Sequence, residues 1–472
     1  MKKLLIYILP LMLLVSCAKS LDDYNIDQKN PDNVSAGSLF ANALKELADN
    51  QTSPNVNVNV FRYWVQQWTA TSYQDEPRYD YITREVHTAY WTPMYSEILQ
   101  DLKESRRLTE ADAKISDAVK NNRIALTEIA SVYTWSVLVN TWGDVPYSQA
   151  LGDVNQPKYD KSADIYADLL KRLDGAIAQM TPGSNFGPTD LLYNDNTAGW
   201  IKFAHSLKLK LAITLADVDE ATAKSVIQSS ADKAFTSNAD NATFKYLKET
   251  PNNNPISTDL NSAFTKRQDY IGGKTMIDIM NNLNDPRRPQ YFTPINGNYI
   301  GGIIGINNTF ANFSHISDKI IAPDFPALLL DYPEVELILA EAAARWGIAG
   351  TAVDHYNKGI TASILYWGGS EAEATAYLAQ PKVAYATASA NIKEKIGIQK
   401  YLALYNRGYD TWVEWRRLDF PVLERAISSV SVIPLRITYP DNERTLNQAN
   451  VEAASAAMGG DAVSSKIFWD KF

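Results

Sequence analysis

Between Trp64 and Tyr81 the chain sets Trp64, Trp68, Tyr73, Asp75, Arg78, Tyr79 and Tyr81 among polar neighbours. Aromatic rings supply flat apolar faces, while the carboxylate and guanidinium between them supply hydrogen-bonding groups. A sugar ring, apolar on its C–H face and polar at its rim, is a ligand that uses both. Tyr291, Tyr299 and Phe310 lie in a Gly- and Asn-rich stretch further along and are candidates for the same surface. The competing reading is packing. Trp64 and Trp68 stand four residues apart and would share one helix face, which suits a core. Tyr73, Tyr79 and Tyr81 sit among charges and are the better ligand contacts.

Other chemistries find less support. His87, His205, His315 and His355 are scattered without the paired spacing of a zinc hydrolase, so each reads as a packing or surface residue. The serine-hydrolase elbow GxSxG is absent. Glycosidase chemistry needs two carboxylates flanking the bond to be cleaved. Asp75 and Glu76, beside Tyr73 and Tyr79, keep that alternative open, whereas Asp22-Asp23 reads as part of a tether and Glu334/Glu336 as a helix-surface or capping pair. No acidic loop of the calcium-binding type is present, so structural calcium has no support. IGGIIG at Ile300–Gly305 lacks the order of a nucleotide loop, and Gly272-Gly273-Lys274-Thr275 lacks the spacing of a P-loop. Tight backbone packing is the expected role of those glycines. No catalytic residue, cofactor or metal is assigned.

These side chains must be positioned by elements that are mostly helical. Apolar residues recur at three- and four-residue spacing over Ser35–Ala48, Phe61–Thr71, Tyr90–Leu102, Ala118–Val139, Ser162–Met180 and Trp200–Leu215. The same rhythm returns over Pro333–Trp346, Ala352–Leu365, Asn391–Tyr405 and Gly408–Leu418. Consecutive pairs suggest helical hairpins packed side by side. Tyr73–Tyr81, broken by Pro77, is expected as loop, and so are the Asn/Pro/Ser/Thr-rich Thr236–Gln268 and the Gly/Asn-rich Tyr291–Ser314. Tyr133, Trp135, Trp142, Trp200, Trp346 and Trp412 are expected between helices.

The N-terminus answers where such a scaffold would act. Met1-Lys2-Lys3 precedes an apolar run from Leu4 to Val15, too short for a comfortable membrane span but suited to a secretory leader. Leu14-Val15-Ser16-Cys17 resembles a lipobox, which would make residues 1–16 a removed signal peptide, Cys17 an acylated terminus and residues 17–34 a tether. The alternative is an ordinary leader with an incidental thiol. Cys17 is the sole cysteine, so the chain can form no internal disulfide.

Composition sets further bounds. With 45% hydrophobic and 21% charged residues the chain is expected to be globular rather than disordered. Its formal charge of −9, without a basic stripe, disfavours nucleic acid as a partner.

The C-terminal blocks carry a resemblance. QKYLALYNRGYDTWVEWRRLDFPVL at Gln399–Leu423, IPLRITYPDNE at Ile433–Glu443 and the closing KIFWDKF, together with TWGDVPYSQA at Thr141–Ala150 and YPEVELILAEAAARWG at Tyr332–Gly347, resemble the SusD/RagB family. The likeness runs through essentially the whole chain. It implies a mainly α-helical fold in which 35–472 form a single domain, with four tetratricopeptide-like hairpins and an irregular ligand-binding side. It further implies an outer-membrane lipoprotein of Bacteroidota, lipid-anchored on the extracellular face, that captures oligosaccharides, or in some branches peptides, for a SusC-like TonB-dependent transporter. Asp22-Asp23 after Cys17 then resembles a surface-export signal. The family's binding residues are not fixed, so none is transferred. A surface glycosidase and a purely protein-binding module remain the alternatives.

Overall fold

The computed structural model describes residues 34–471; Cys17, the leader, Asp22-Asp23 and nearly all of the tether lie outside the described residues. The first helix, α1 (Ala36–Thr52), starts where Ser35 accepts a hydrogen bond from the Ser38 backbone. It buries Phe40, Ala43, Leu44 and Leu47, the residues whose spacing announced it. Phe61–Thr71 departs from expectation. Helix persists only over α2 (Phe61–Trp64), after which Gln66 takes a left-handed φ of 57° and the chain becomes strand β1 (Trp68–Ala70). Trp64 and Trp68 are both buried, but they do not share a helix face.

Next come α3 (Val86–Pro93), a π-helical turn at Met94–Leu99 and α4 (Gln100–Ala111), which pack on α1 and on α5 (Asp117–Trp142). The series of packed helices continues through α6 (Ser162–Gln179), α7 (Thr197–Thr214) and α8 (Glu220–Ser230), with α5 on α6 and α7 on α8. After an irregular middle, α9 (Lys274–Asn282) precedes the hairpin of α10 (Tyr332–Trp346) and α11 (Ala352–Trp367), then α12 (Ile392–Ala403) and α13 (Gly408–Leu418). The described residues are thus mainly α-helical, and helix-on-helix packing forms the core. Trp142, Trp200 and Trp412 are fully buried and Tyr133 and Trp135 nearly so; Trp346 is partly buried against the same core. Residues 421–432 form neither helix nor strand and leave Val422 and Val430 largely exposed.

Glu334 corrects the expected surface pair. It is wholly buried on α10, 3.0 Å from Lys210 of α7 and 2.7 Å from Arg407. Arg417 joins Glu341 at 2.5 Å and Glu414 at 2.7 Å, and Lys400 meets Glu414 at 2.7 Å. Charges this deep persist because each has partners; removing one leaves the others desolvated and unpaired. Glu336 is buried as well, at 5% exposure, and meets the His355 ring at 2.6 Å, so neither glutamate is a surface residue.

Eight short strands pair two by two among the described residues. Two of these pairings position the site described below. β1 runs antiparallel to β5 (Tyr270–Gly272), with Ala70 opposite Tyr270, and β6 (Phe292–Thr293) pairs with β7 (His315–Ile316). A hydrogen bond of 2.9 Å from the Gly272 N–H to the Ser314 carbonyl links the two pairs. The glycine-rich segment is a packing device, as expected: a Cβ on Gly301 would collide with the Lys274 backbone, and one on Gly273 with the Gln66 carbonyl. No helix among the described residues is long and apolar enough to cross a membrane.

Candidate functional site

Just past the end of β1 the chain becomes a hub. The Thr71 N–H bonds the Asp269 carbonyl at 3.0 Å and its hydroxyl bonds the Gln268 carbonyl at 2.8 Å. On the other flank the Asn308 N–H reaches the Thr71 carbonyl at 2.8 Å, while the buried Asn308 amide donates to Ala70, Ile303 and Ile306. Three irregular segments, around Tyr73, Asp269 and Phe310, are thereby held side by side.

Between them lie three contiguous recesses. The first, of about 380 Å³, is lined by Tyr63, Tyr73, Arg84, Arg267 and Tyr270. Arg267 and Tyr270 also line the second, of about 330 Å³, which continues to Phe310 and His315. The third, of about 430 Å³, runs from Ser72 and Gln268 to Asn307 and Phe310. Asp269 borders all three. Each falls in the range of small-ligand sites, about 300–1,000 Å³.

Aromatic platforms stand at both ends. Tyr73 is 61% exposed, and the Arg84 guanidinium carbon lies 6.0 Å from its ring centroid. Arg84 is itself gripped by the buried Glu76 and by Asp75 at 3.3 Å. Burial raises the Glu76 pKa, with Arg84 pulling the other way. Desolvation lowers the Arg84 pKa, but its two carboxylate partners outweigh this and raise it overall. At the far end Phe310 stacks on His315, centroids 3.7 Å apart and planes 11° from parallel, and the His315 Nε2 lies 3.0 Å from the Phe310 carbonyl. Tyr63 and Tyr270 stack at 6.0 Å beneath the first recess.

The fold divides the expected aromatic cluster. Tyr73 and Phe310 line the groove; Asp75 stands behind it as a brace on Arg84. Four rings are removed from the candidate surface by burial. Trp68 is 1% exposed, its indole N–H spent on the Tyr405 hydroxyl at 3.0 Å and its face covered by Arg62. Tyr79 adopts a left-handed φ of 72°, which turns its ring inward, where its hydroxyl accepts the Ala426 N–H at 2.9 Å. Tyr81 packs edge-on against Trp64 and bonds Thr438 at 2.9 Å. Tyr291 stacks on Tyr405 with centroids 4.0 Å apart. Arg78 serves the scaffold by donating to the Gly305 carbonyl at 2.8 Å. Tyr299 lies under Arg288 at 4.6 Å and lines none of the three recesses.

Sequence reasoning missed Arg84, Arg267, Gln268, Asp269 and His315 as groove residues. The signal available was indirect, since 236–268 and 291–314 were already marked as irregular and polar. The pairing of β1 with β5, which brings Asp269 beside the Tyr73 segment, spans about two hundred positions, and nothing local announces it. Among the described residues no group of three or more His, Cys, Asp or Glu is placed to hold a metal ion.

A groove with aromatic ends and amide, hydroxyl and charged sides on a helical scaffold invites comparison. The family model described as "Starch-binding associating with outer membrane", SusD-like, matches residues 28–440. The chain belongs to the SusD-like family. Solved structures agree with this. A chitin-binding protein superposes with a TM-score of 0.80 at 26% identity, covering 93% of this chain and 100% of its own. SusD homologues from Bacteroides uniformis (TM-score 0.77, 26% identity) and Bacteroides fragilis (TM-score 0.78, 25% identity) each cover 93% of this chain and 100% of their own. No curated protein matches the sequence. Membership of the SusD-like family carries a general role in carbohydrate binding and uptake at the outer membrane, and its members generally pair with SusC-type transporters.

Proposed function

We propose that this SusD-like protein is a lipoprotein anchored through Cys17 on the extracellular face of the outer membrane. It captures an oligosaccharide in the groove between Tyr73 and Phe310 and passes it to a SusC-like TonB-dependent transporter, without catalysing a reaction itself. Residues 35–472 act as one domain, in which α1/α4, α5/α6, α7/α8 and α10/α11 supply four tetratricopeptide-like hairpins. The observation that carries the reading is the groove: an exposed tyrosine held by an arginine at one end and a stacked Phe–His pair at the other, with polar sides between. This arrangement offers apolar faces to sugar rings and hydrogen bonds to their hydroxyls.

The carboxylates nearest Tyr73 support binding over hydrolysis, because Glu76 and Asp75 are both engaged by Arg84. Chito-oligosaccharides are the first ligands to test, since one similar structure is a chitin-binding protein at 26% identity. Malto- and cello-oligosaccharides complete the panel. Calorimetric titration of the full-length protein in detergent should show saturable binding to at least one of these chains without release of shorter products. Absence of binding throughout, or product formation, would overturn the proposal.

A further inference from the structure

The charged side chains of the groove are balanced in a way that bears on ligand class. Arg84, Lys266 and Arg267 line the recesses on the positive side, and Glu76, Asp269 and Asp318 on the negative side. Arg84 and Glu76 are spent on each other. Arg267, which borders both the first and second recess, is differently placed. Its side chain is 62% exposed, and its guanidinium lies 3.8 Å from Asp269 and 3.9 Å from Asp259, beyond hydrogen-bonding distance of either. Its charge is compensated at a distance, while the exposed guanidinium is hydrogen-bonded to neither carboxylate.

We propose that this groove selects uncharged glycan chains over polyanionic ones, and that Arg267 is the residue that determines the choice, donating hydrogen bonds to neutral oxygens such as hydroxyls or an acetamido carbonyl. The inference rests on the glycan reading of the groove and narrows it. A ligand carboxylate approaching Arg267 meets a cation flanked by two anions, so Asp269 and Asp259 offset its attraction to the guanidinium. In the second recess the further cation Lys266 is accompanied by Asp318. A neutral oxygen meets no such opposition and still accepts from a guanidinium, which gives a stronger bond than a neutral donor would. The formal charge of −9 on the whole chain acts in the same direction on any polyanion arriving from solution. The selection extends along the chain, because the third recess carries Asp269 among hydroxyl and amide side chains with no cation in its lining and so also opposes a polyanion.

The test compares chito-, malto- and cello-oligosaccharides with oligogalacturonate and a heparin-derived oligosaccharide, matched in length, on the full-length protein in detergent. The best neutral chain should bind at least ten times more tightly than either anionic chain. R267A should lose most of the neutral affinity while circular dichroism and the unfolding transition stay unchanged. D269N, which removes compensation but keeps the side-chain shape, should raise affinity for oligogalacturonate at least tenfold. Anionic chains that bind the wild type as tightly as the neutral ones would overturn the inference and leave the glycan reading intact. No binding by any probe would overturn both.

Discussion

Arg84 lies over the Tyr73 ring, 6.0 Å from its centroid, and reaches from there to the buried carboxylate of Glu76. One arginine therefore ties the most exposed aromatic residue of the groove to the protein interior. R84A should lower affinity for the glycan and also destabilise the fold, because Glu76 is left buried without its cation. A loss of about 2 kcal/mol is expected for a pair that is buried on one side only. In E76Q/R84A the stability should recover in part while the binding defect persists, and a double-mutant cycle read by urea unfolding and calorimetry separates the two.

Tyr73 and Trp68 should behave oppositely. Y73A removes an exposed ring, so binding weakens by about 0.5–1.5 kcal/mol, roughly two- to tenfold, with little change in the unfolding midpoint. W68A empties a buried indole site and removes the donor to the Tyr405 hydroxyl, which keeps only its bond to the Tyr291 carbonyl, and should cost about 3–5 kcal/mol of stability. Equal stability losses in the two variants would contradict the placement of these rings.

The buried ionic cluster sets the acid response. Burial raises the Asp331 pKa to about 6, with Arg407 only partly opposing it. The folded state then holds a proton that the unfolded state releases above its ordinary 3.8. The Asp331 contribution to stability is complete below that value and is lost as pH rises through about 6. Glu334, Glu341 and Glu414 behave the other way: burial favours protonation, but Lys210, Arg417 and Lys400 hold all three below 4.5. Their contribution is full above 4.5 and is lost as pH falls beneath it. Burial lowers the pKa of His87 and takes that of His205 to about 4, so these two lose stability as pH falls below 6.5. The Asp331 rise is therefore read in urea unfolding as the wild type minus D331N, growing from pH 6 downwards, with a steep fall below 4.5 in both proteins. D331N keeps an acceptor for the Glu334 N–H and should abolish the rise without moving the fall.

Lipidation at Cys17 is open to a direct check. C17A should fail to incorporate labelled acyl chains and should leave the membrane fraction, because the chain contains no second cysteine to modify. Continued labelling and membrane retention in C17A would overturn the anchor.

How far the site could be read ahead follows from how local its causes are. Tyr73 was legible because its neighbours Ser72, Gln74 and Asp75 are polar and the ring itself ends up in water. Tyr79 has equally polar neighbours, yet its left-handed backbone turns the ring inside, and a pattern of neighbours carries no sign of that angle. Trp68 looked helical because Trp64 stands four positions before it. The strand forms instead because β5, about two hundred residues later, pairs with it. Glu334 and Glu336 look like a surface pair in sequence, yet both are buried, one against Lys210 and Arg407 and the other against His355 on the neighbouring helix. Only the packing of α10 decides that.

The long helices were legible in sequence, since apolar residues at three- and four-residue spacing bury one face by coiling and caps such as Ser35 and Asp331 mark where coiling starts. The same holds for the packing role of the Ile300–Gly305 glycines and for the family likeness carried by the C-terminal blocks. Over Phe61–Thr71, by contrast, the same apolar rhythm gives way to a strand after Trp64. The groove was decided by tertiary structure. Its walls come from three segments distant in sequence that meet because Thr71 and Asn308 bind them together, and its charge balance exists only once Arg267 stands beside Asp269 and Asp259. Periodicity is a property of neighbours along the chain, whereas a binding surface depends on distances between residues that only folding brings close.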